Sequence, residues 1–251
     1  MTVYFIGAGP GAADLITLRG QRLLQRCPVC LYAGSIMPDD VLQFCPPGAR
    51  IVDTGPLTLD QIVAELEQAD AEGWDVARLH SGDPSLYSAL AEQCRRLDEL
   101  GIRYEIVPGV TAFAAAAAAL GRELTVPGIA QTVTLTRVST LSTAMPQGED
   151  LATLAGVGGT LVIHLAAHRI DVIVGELTAA GYLTTTPVAV VAFASWPQET
   201  ILRGTLADIA DQIHQAGVTR TAVIIVGDAL AAQGFSDSYL YSADRSRGER
   251  H

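Results

Sequence analysis

Between Val76 and Tyr87 the chain reads VARLHSGDPSLY, and residue types able to do chemistry concentrate there. The apolar run from Val76 to Leu79 predicts a strand buried on both faces. It ends at His80 and Ser81, and Gly82, Asp83 and Pro84 cannot extend it. Gly82 can adopt backbone angles closed to other residues, or let a ligand approach the main chain. Asp83 before Pro84 reads as a helix start, with the carboxylate capping free amides and proline in the first helical position. The helix that follows would carry Leu86, Leu90 and Leu97 on one face. A strand tip, a glycine and a capped helix at the carboxyl edge of a parallel sheet form a usual ligand crevice of open α/β folds. Read structurally, Gly82 and Asp83 are only a turn and a cap, and the motif alone leaves both readings open.

Two other constellations invite chemistry. The strand Val3 to Ile6 runs into GAGPG, Gly7 to Gly11, and then into a helix pattern with Leu15, Leu18, Leu23 and Leu24. This resembles a dinucleotide loop, but the spacing is not GxGxxG and Pro10 removes an amide that a pyrophosphate would use. The next strand, Val29 to Tyr32, ends in Ala33-Gly34-Ser35 without the acidic residue a ribose requires. The pair Cys27 and Cys30 has CxxC spacing, yet it falls at a helix end and a strand start, where no thiolate is favoured. No second pair completes a zinc site, so these read as small buried thiols and no metal is expected.

The elements that must hold these loops alternate in type. Strands are predicted at Ile51 to Asp53 and Tyr104 to Val107, with an amphipathic helix on Leu59, Ile62, Val63 and Leu66 between the first of them and Gly73. Thr111 is placed to cap a helix containing six alanines, Ala114 to Ala119, narrow enough for close packing. Charge and proline enter at RELTVPG, and a domain boundary is set there, giving an α/β domain over 1–121 and a second over 122–241. The second would contain strands at Thr132 to Thr136, Thr160 to Leu165, Val188 to Phe193 and Ala222 to Val226. A Ser/Thr-rich loop spans Ser139 to Gly148, helices follow around Leu151 to Leu154 and from Ile170, and Thr200 to Leu206 reads as an antiparallel strand. The polar tail over 242–251 is predicted to be disordered. Two α/β halves with glycine and proline loops at their strand ends predict a site in the cleft between them.

A hydrophobic content of 49% against 17% charged residues supplies a sizeable core and excludes disorder as the dominant state. The net charge of −11 disfavours nonspecific attraction to nucleic acid or to an anionic membrane. The most tempting apolar stretch, Phe113 to Leu120, stops at Gly121 and Arg122, short of a bilayer span. The first residues enter a strand and a glycine loop with no basic leader, so a cytoplasmic protein is expected.

GAGPG with DLITLRG, CLYAGS, HSGDPSLY and VPGVTAFAAA together resemble the tetrapyrrole (corrin/porphyrin) methylases, which use S-adenosylmethionine. YAGS at Tyr32 to Ser35, ELTVPG at Glu123 to Gly128, QTVTLTR at Gln131 to Arg137 and ASWPQE at Ala194 to Glu199 are similar to one branch, the precorrin-4 C(11)-methyltransferases of cobalamin synthesis. The resemblance runs from Val3 to about Asp228. It implies a two-domain α/β fold, each lobe a mixed or parallel sheet flanked by helices, usually a homodimer, with the methyl donor in the interdomain cleft. It places that donor against Pro10, Ser81, Gly82 and Asp83, near Leu86, with Thr111, Ala112, Leu165 and Ala194 completing the pocket. It places the tetrapyrrole by the GAGPG loop. The family often has Asp-Pro after GPG, whereas this chain has Ala12-Ala13, so any role of a carboxylate at position 12 is lost.

Methyl transfer from a sulfonium is an in-line displacement with an activated donor, so alignment and water exclusion are the protein's main tasks. No catalytic side chain is assigned. The substrate's carboxylates call for local cations, and Arg122, Arg137, His80 and His164 stand at suitable edges, each equally readable as a surface or hydrogen-bonded residue. Trp196 reads as a core or dimer contact before a ligand platform. The alternatives are a methylase of the same fold acting on another ring position or another substrate, a nicotinamide dehydrogenase, and a non-catalytic tetrapyrrole-binding protein.

Overall fold

The computed structural model describes residues 1–139 and 144–238. The tail read from Ser242 and part of the Ser/Thr-rich loop, 140–143, lie outside the described residues. The described residues divide into two compact units: Met1–Ala115 with Phe193–Glu199, and those from Ala116 to Ala192 with those from Thr200 on.

In the first unit the short apolar runs form β1 (Thr2–Gly7), β2 (Val29–Tyr32), β3 (Arg50–Asp53), β4 (Val76–His80) and β5 (Arg103–Val107). They make one sheet in the order β3-β2-β4-β1-β5, and every pairing is parallel. The register sets Val3 opposite Val76 and Gly7 opposite His80. Parallel strands need crossovers on both faces, so alternate side chains enter two separate cores. On one face Val3, Phe5, Val29, Leu31 and Val76 pack with Ile62 and Leu66 of α2 (Leu59–Ala71) and Leu97 of α3 (Leu90–Leu100). On the other, Ile6, Ala77 and Leu79 pack with Leu24 of α1 (Leu18–Leu24) and with Cys27 and Cys30. Each fully buried aliphatic chain contributes about 1.5–3 kcal/mol.

The helix starts follow side-chain chemistry. Thr58 and Gln61 form a reciprocal capping box on α2. The Thr17 hydroxyl accepts from Gly20 N at 3.1 Å, which starts α1 at Leu18, after a single turn of 3-10 helix at Ala13–Leu15. The first helix therefore begins later than its leucine pattern suggests, and Leu18 is 69% exposed.

The largest departure is at Asp83-Pro84, where no helix begins. Tyr87 and Ala89 have φ of +51° and +53°, which turns the chain sharply and delays α3 to Leu90. Leu86 therefore lies in the preceding turn and not on a helix face, and Asp83 does not cap α3.

Helix α4 (Ala112–Leu120) follows directly on Thr111, whose carbonyl accepts from Ala115 N at 3.2 Å. The second unit contains β6 (Val133–Arg137), α5 (Leu151–Ala155), β7 (Thr160–His164), α6 (Ile170–Ala179), β8 (Pro187–Ala192), β9 (Thr200–Thr205), α7 (Ile209–Ala216) and β10 (Ala222–Val226). Its sheet order is β6-β7-β10-β8-β9, with only β6 and β7 paired in parallel and the other three pairings antiparallel. Every residue of β7 and β10 is buried. Among the described residues no helix is long and apolar enough to cross a membrane.

Candidate active site

The chain leaves β1 toward β2 and leaves β4 toward β5, so the connections reverse direction between two neighbouring central strands. That reversal is where open α/β sheets form ligand crevices at the carboxyl edge. Here the crevice is built of main chain. Gly9 and Gly82 exchange hydrogen bonds, Gly82 N to Gly9 O at 2.7 Å and Gly9 N to Gly82 O at 3.3 Å. The loop after β5 joins them: a Cβ on Gly7 would lie 2.6 Å from Gly109 Cα and 2.8 Å from Gly82 O. A Cβ on Gly109 would lie 2.7 Å from Gly7 Cα and closer still to Gly82 O. Three strand-end loops thus meet at distances only glycine permits.

Asp83 staples this arrangement. Its carboxylate accepts from Gly109 N at 2.7 Å, from Ser85 N at 2.8 Å and from the Ser85 hydroxyl. Burial pushes its pKa upward, but the bonds from Ser85 and from Gly109 N outweigh it and hold the carboxyl below its usual value. The residue joins two loops and starts no helix.

A fourth loop, Phe193–Glu199, belongs to the same unit. Trp196 Nε1 donates to Pro10 O at 2.9 Å, and Ala12 N donates to Ser195 Oγ at 3.0 Å. A Cβ on Gly11 would sit 2.6 Å from Trp196 Nε1 and 2.9 Å from Ala194 O. The indole therefore clamps the GAGPG loop, and Ala12 is held through its amide with no side-chain carboxylate. Phe193 packs edge-on against Trp196, with ring centroids 5.7 Å apart.

Of the nine residues expected at the donor, Pro10, Ser81, Gly82, Asp83, Leu86, Thr111, Ala112 and Ala194 belong to the first unit. Gly82 has φ of +70°, and the position its Cβ would take is 3.8 Å from Ala112 N and 3.9 Å from Thr111 Cα. The SGD turn therefore lies against the start of α4, with Ala112 N ahead of the first intrahelical bond. A cradle of amides, carbonyls and hydroxyls with one committed carboxylate fits a ligand bearing ribose hydroxyls and an amino-acid end, as S-adenosylmethionine does. Leu165 lies in the second unit, just past β7, with φ of +57° and 59% of its surface exposed. Tyr87, Ala89, Phe193 and Ser195 share its left-handed conformation. Such backbone costs about 1–3 kcal/mol per residue and concentrates where function requires it.

Two side chains considered as cations for substrate carboxylates cannot serve. His80 is 6% exposed, and burial, together with the charge of Arg78, drops its pKa to about 3. Burial lowers His164 to about 4. Both are neutral at pH 7. Arg78, also buried, donates to Gln93 Oε1 and Thr54 Oγ1, each at 3.0 Å, and so anchors β4 from beneath. Cys27 and Cys30 are buried as expected; burial and the nearby Asp75 push Cys27 up to about 12, and a hydrogen bond to Cys45 together with burial raises Cys30.

This chain belongs to the tetrapyrrole (corrin/porphyrin) methylases: the model of that family matches residues 2–210. A precorrin-4 C(11)-methyltransferase of Mycobacterium tuberculosis is 78% identical over 245 residues, 98% of this chain and 98% of that one. Among solved structures, a cobalt precorrin-4 methyltransferase superposes with a TM-score of 0.88 at 41% identity, covering 91% of this chain and 95% of its own. The uroporphyrin-III C-methyl transferase of Thermus thermophilus, complexed with S-adenyl homocysteine, gives a TM-score of 0.78 at 30% identity, over 92% of this chain and 99% of its own.

Proposed function

We propose that this chain transfers the methyl group of S-adenosylmethionine to C-11 of precorrin-4 in cobalamin biosynthesis. The observation that carries this reading is 78% identity across 98% of the chain to an enzyme of that name. The main-chain crevice of the first unit supports it independently. The same identity, set against 41% for the cobalt enzyme, favours the metal-free ring as substrate.

The bound donor supplies a methyl group on a sulfonium sulfur, already activated toward a carbon nucleophile. Pro10, Ser81, Gly82, Asp83, Leu86, Thr111, Ala112 and Ala194 of the first unit would hold it. Backbone amides and hydroxyls of Ser81 and Thr111 suit its polar ends, while Leu86 and Ala194 offer apolar surface. Asp83 and Trp196 keep the loops in place. Rigidity here lowers the barrier by orientation, a contribution worth up to about 7–11 kcal/mol in well-aligned reactions. No side chain is assigned a proton, in keeping with an electron-rich ring carbon as nucleophile. The protein acts in the cytoplasm as a homodimer, a state that sedimentation at micromolar concentration checks directly.

The test is labelled donor incubated with the protein and either metal-free or cobalt-loaded precorrin-4, with the product's methyl position read by NMR. Label at C-11 of the metal-free ring is expected. Label at another carbon, or none despite tight binding of S-adenosylhomocysteine in calorimetry, overturns the reading. Binding of NAD in place of S-adenosylhomocysteine would overturn the cofactor as well.

A further inference from the structure

The second unit holds a cavity of about 150 Å³ that the methyl-transfer reading does not use. It is lined by Arg122 and Arg203 and by apolar groups including Leu120, Val188, Ala189 and Leu230. Strand register places it at one edge of the sheet. Ala189 pairs with Arg203 and Val188 with Gly204, while Val226, the last residue of β10, pairs with Val188. Leu165 follows the carboxyl end of β7, and β7 and β8 both run antiparallel to β10, so it stands at the opposite edge. Separation along the strands is roughly 3.3 Å per residue, so the two edges are about 15 Å apart.

The charge in this cavity is unbalanced. The chain carries −11 overall, yet neither arginine forms an ion pair among the described residues. Arg203 Nη2 donates to Leu120 O at 3.2 Å, and Arg122 Nη1 donates to Ala232 O at 3.5 Å. Each guanidinium has five donors, so most remain available. Asp208, beside Gly204, accepts from Thr205 N, Thr205 Oγ1 and Gln212 Nε2, and Glu123 accepts from Thr125 Oγ1. Both arginines are solvent-exposed and line the same hollow, and the guanidinium fork matches a carboxylate in two-point geometry.

We propose that this cavity binds a small aliphatic carboxylate, its two oxygens on Arg122 and Arg203 and its short apolar body against Leu120, Val188 and Leu230. The cavity holds about one such molecule. An inorganic anion fits the charges and leaves the apolar wall without a partner. The site lies within the second unit and does not depend on the assignment of the methyl-donor loops.

The experiment is calorimetric titration of the full-length protein with butyrate, and in parallel with inorganic phosphate and n-butanol, at constant ionic strength. Butyrate is expected to bind at least tenfold more tightly than either. Arg203→Gln should lower its affinity at least tenfold, and Arg203→Lys should restore part of it. Ala231→Leu, at an exposed lining position, should fill the cavity and abolish butyrate binding while S-adenosylhomocysteine still binds. Phosphate binding as tightly as butyrate, or butyrate binding unchanged in Ala231→Leu, overturns the proposal. So does an Arg203→Gln protein that loses thermal stability but keeps its butyrate affinity, because the arginine then only caps α4.

Discussion

The two sheets of this protein have five strands each and use their edges differently. In the first, all strands run one way, so the loops after β1, β4 and β5 emerge together and crowd until glycine alone fits. In the second, β10 runs against β7 and β8, so its exit loop goes to the edge away from theirs. The first edge becomes a crevice of amides and carbonyls; the second carries an apolar hollow with two guanidiniums. Parallel topology thus concentrates backbone chemistry, and the mixed sheet leaves side chains to define the site.

If that contrast holds, Gly109→Ala should be the most damaging of the simple substitutions. Its Cβ meets main chain of Gly7 and Gly82, which cannot step aside. We expect a stability loss of about 3 kcal/mol and at least a hundredfold loss of S-adenosylhomocysteine affinity, read by denaturation and calorimetry. An alanine tolerated here would mean that the loops are not truly in backbone contact.

A pH titration of stability probes the buried edge of the same sheet. His80 binds a proton near pH 6.5 when unfolded but only near pH 3 when folded, so the unfolded state holds more protons between these values. Stability should therefore rise with pH across that window and be lost as pH falls below 6.5. The cost by pH 4 is on the order of 3 kcal/mol. His80→Leu should make that acid limb shallower in a pH series of melting temperatures, leaving the part that the buried His164 contributes. A limb unchanged by the substitution would place the titration elsewhere.

Asp83→Asn weakens the acceptor for Gly109 N and the Ser85 donors, with an expected loss of about 1–2 kcal/mol and roughly tenfold in donor-product affinity. Trp196→Phe leaves an aromatic side chain but removes the indole N–H and its bond to Pro10 O, at about 1 kcal/mol and a severalfold weaker affinity. Gly175→Ala in α6 of the second unit should act in the opposite direction. Nothing lies within 4 Å of its Cβ position, and alanine favours helix by roughly 0.5–1 kcal/mol, so the melting temperature should rise with donor binding unchanged.

The parts of the fold visible in the amino-acid order were those set by local pattern. Ala222 to Val226 is an apolar run and Val76 to Leu79 one interrupted only by Arg78, and both became fully buried strands. The antiparallel β9 was readable because too few residues separate it from β8 for a crossover helix. The glycine loops were visible as punctuation, but their mutual contact was not, since Gly7 and Gly109 are brought together only by the register of β1 and β5. The Asp83-Pro84 start misled because a helix can be refused by residues downstream of its cap, here Tyr87 and Ala89, and nothing in those side chains signals a left-handed backbone. The bond from Trp196 to Pro10 spans 186 positions and left no trace beyond the ASWPQE run.

Sequence by itself determined which segments must be buried, where the chain must turn, and which loops could let a ligand touch the main chain. These follow from hydrophobic period and from the conformational range of glycine and proline, which are properties of single residues and near neighbours. Tertiary structure alone decided that Asp83 is a staple and that Trp196 is a clamp. It also decided that His80 is neutral and that Arg122 and Arg203 share a cavity. Each depends on distances between residues far apart in the chain, and only strand order and register set those distances.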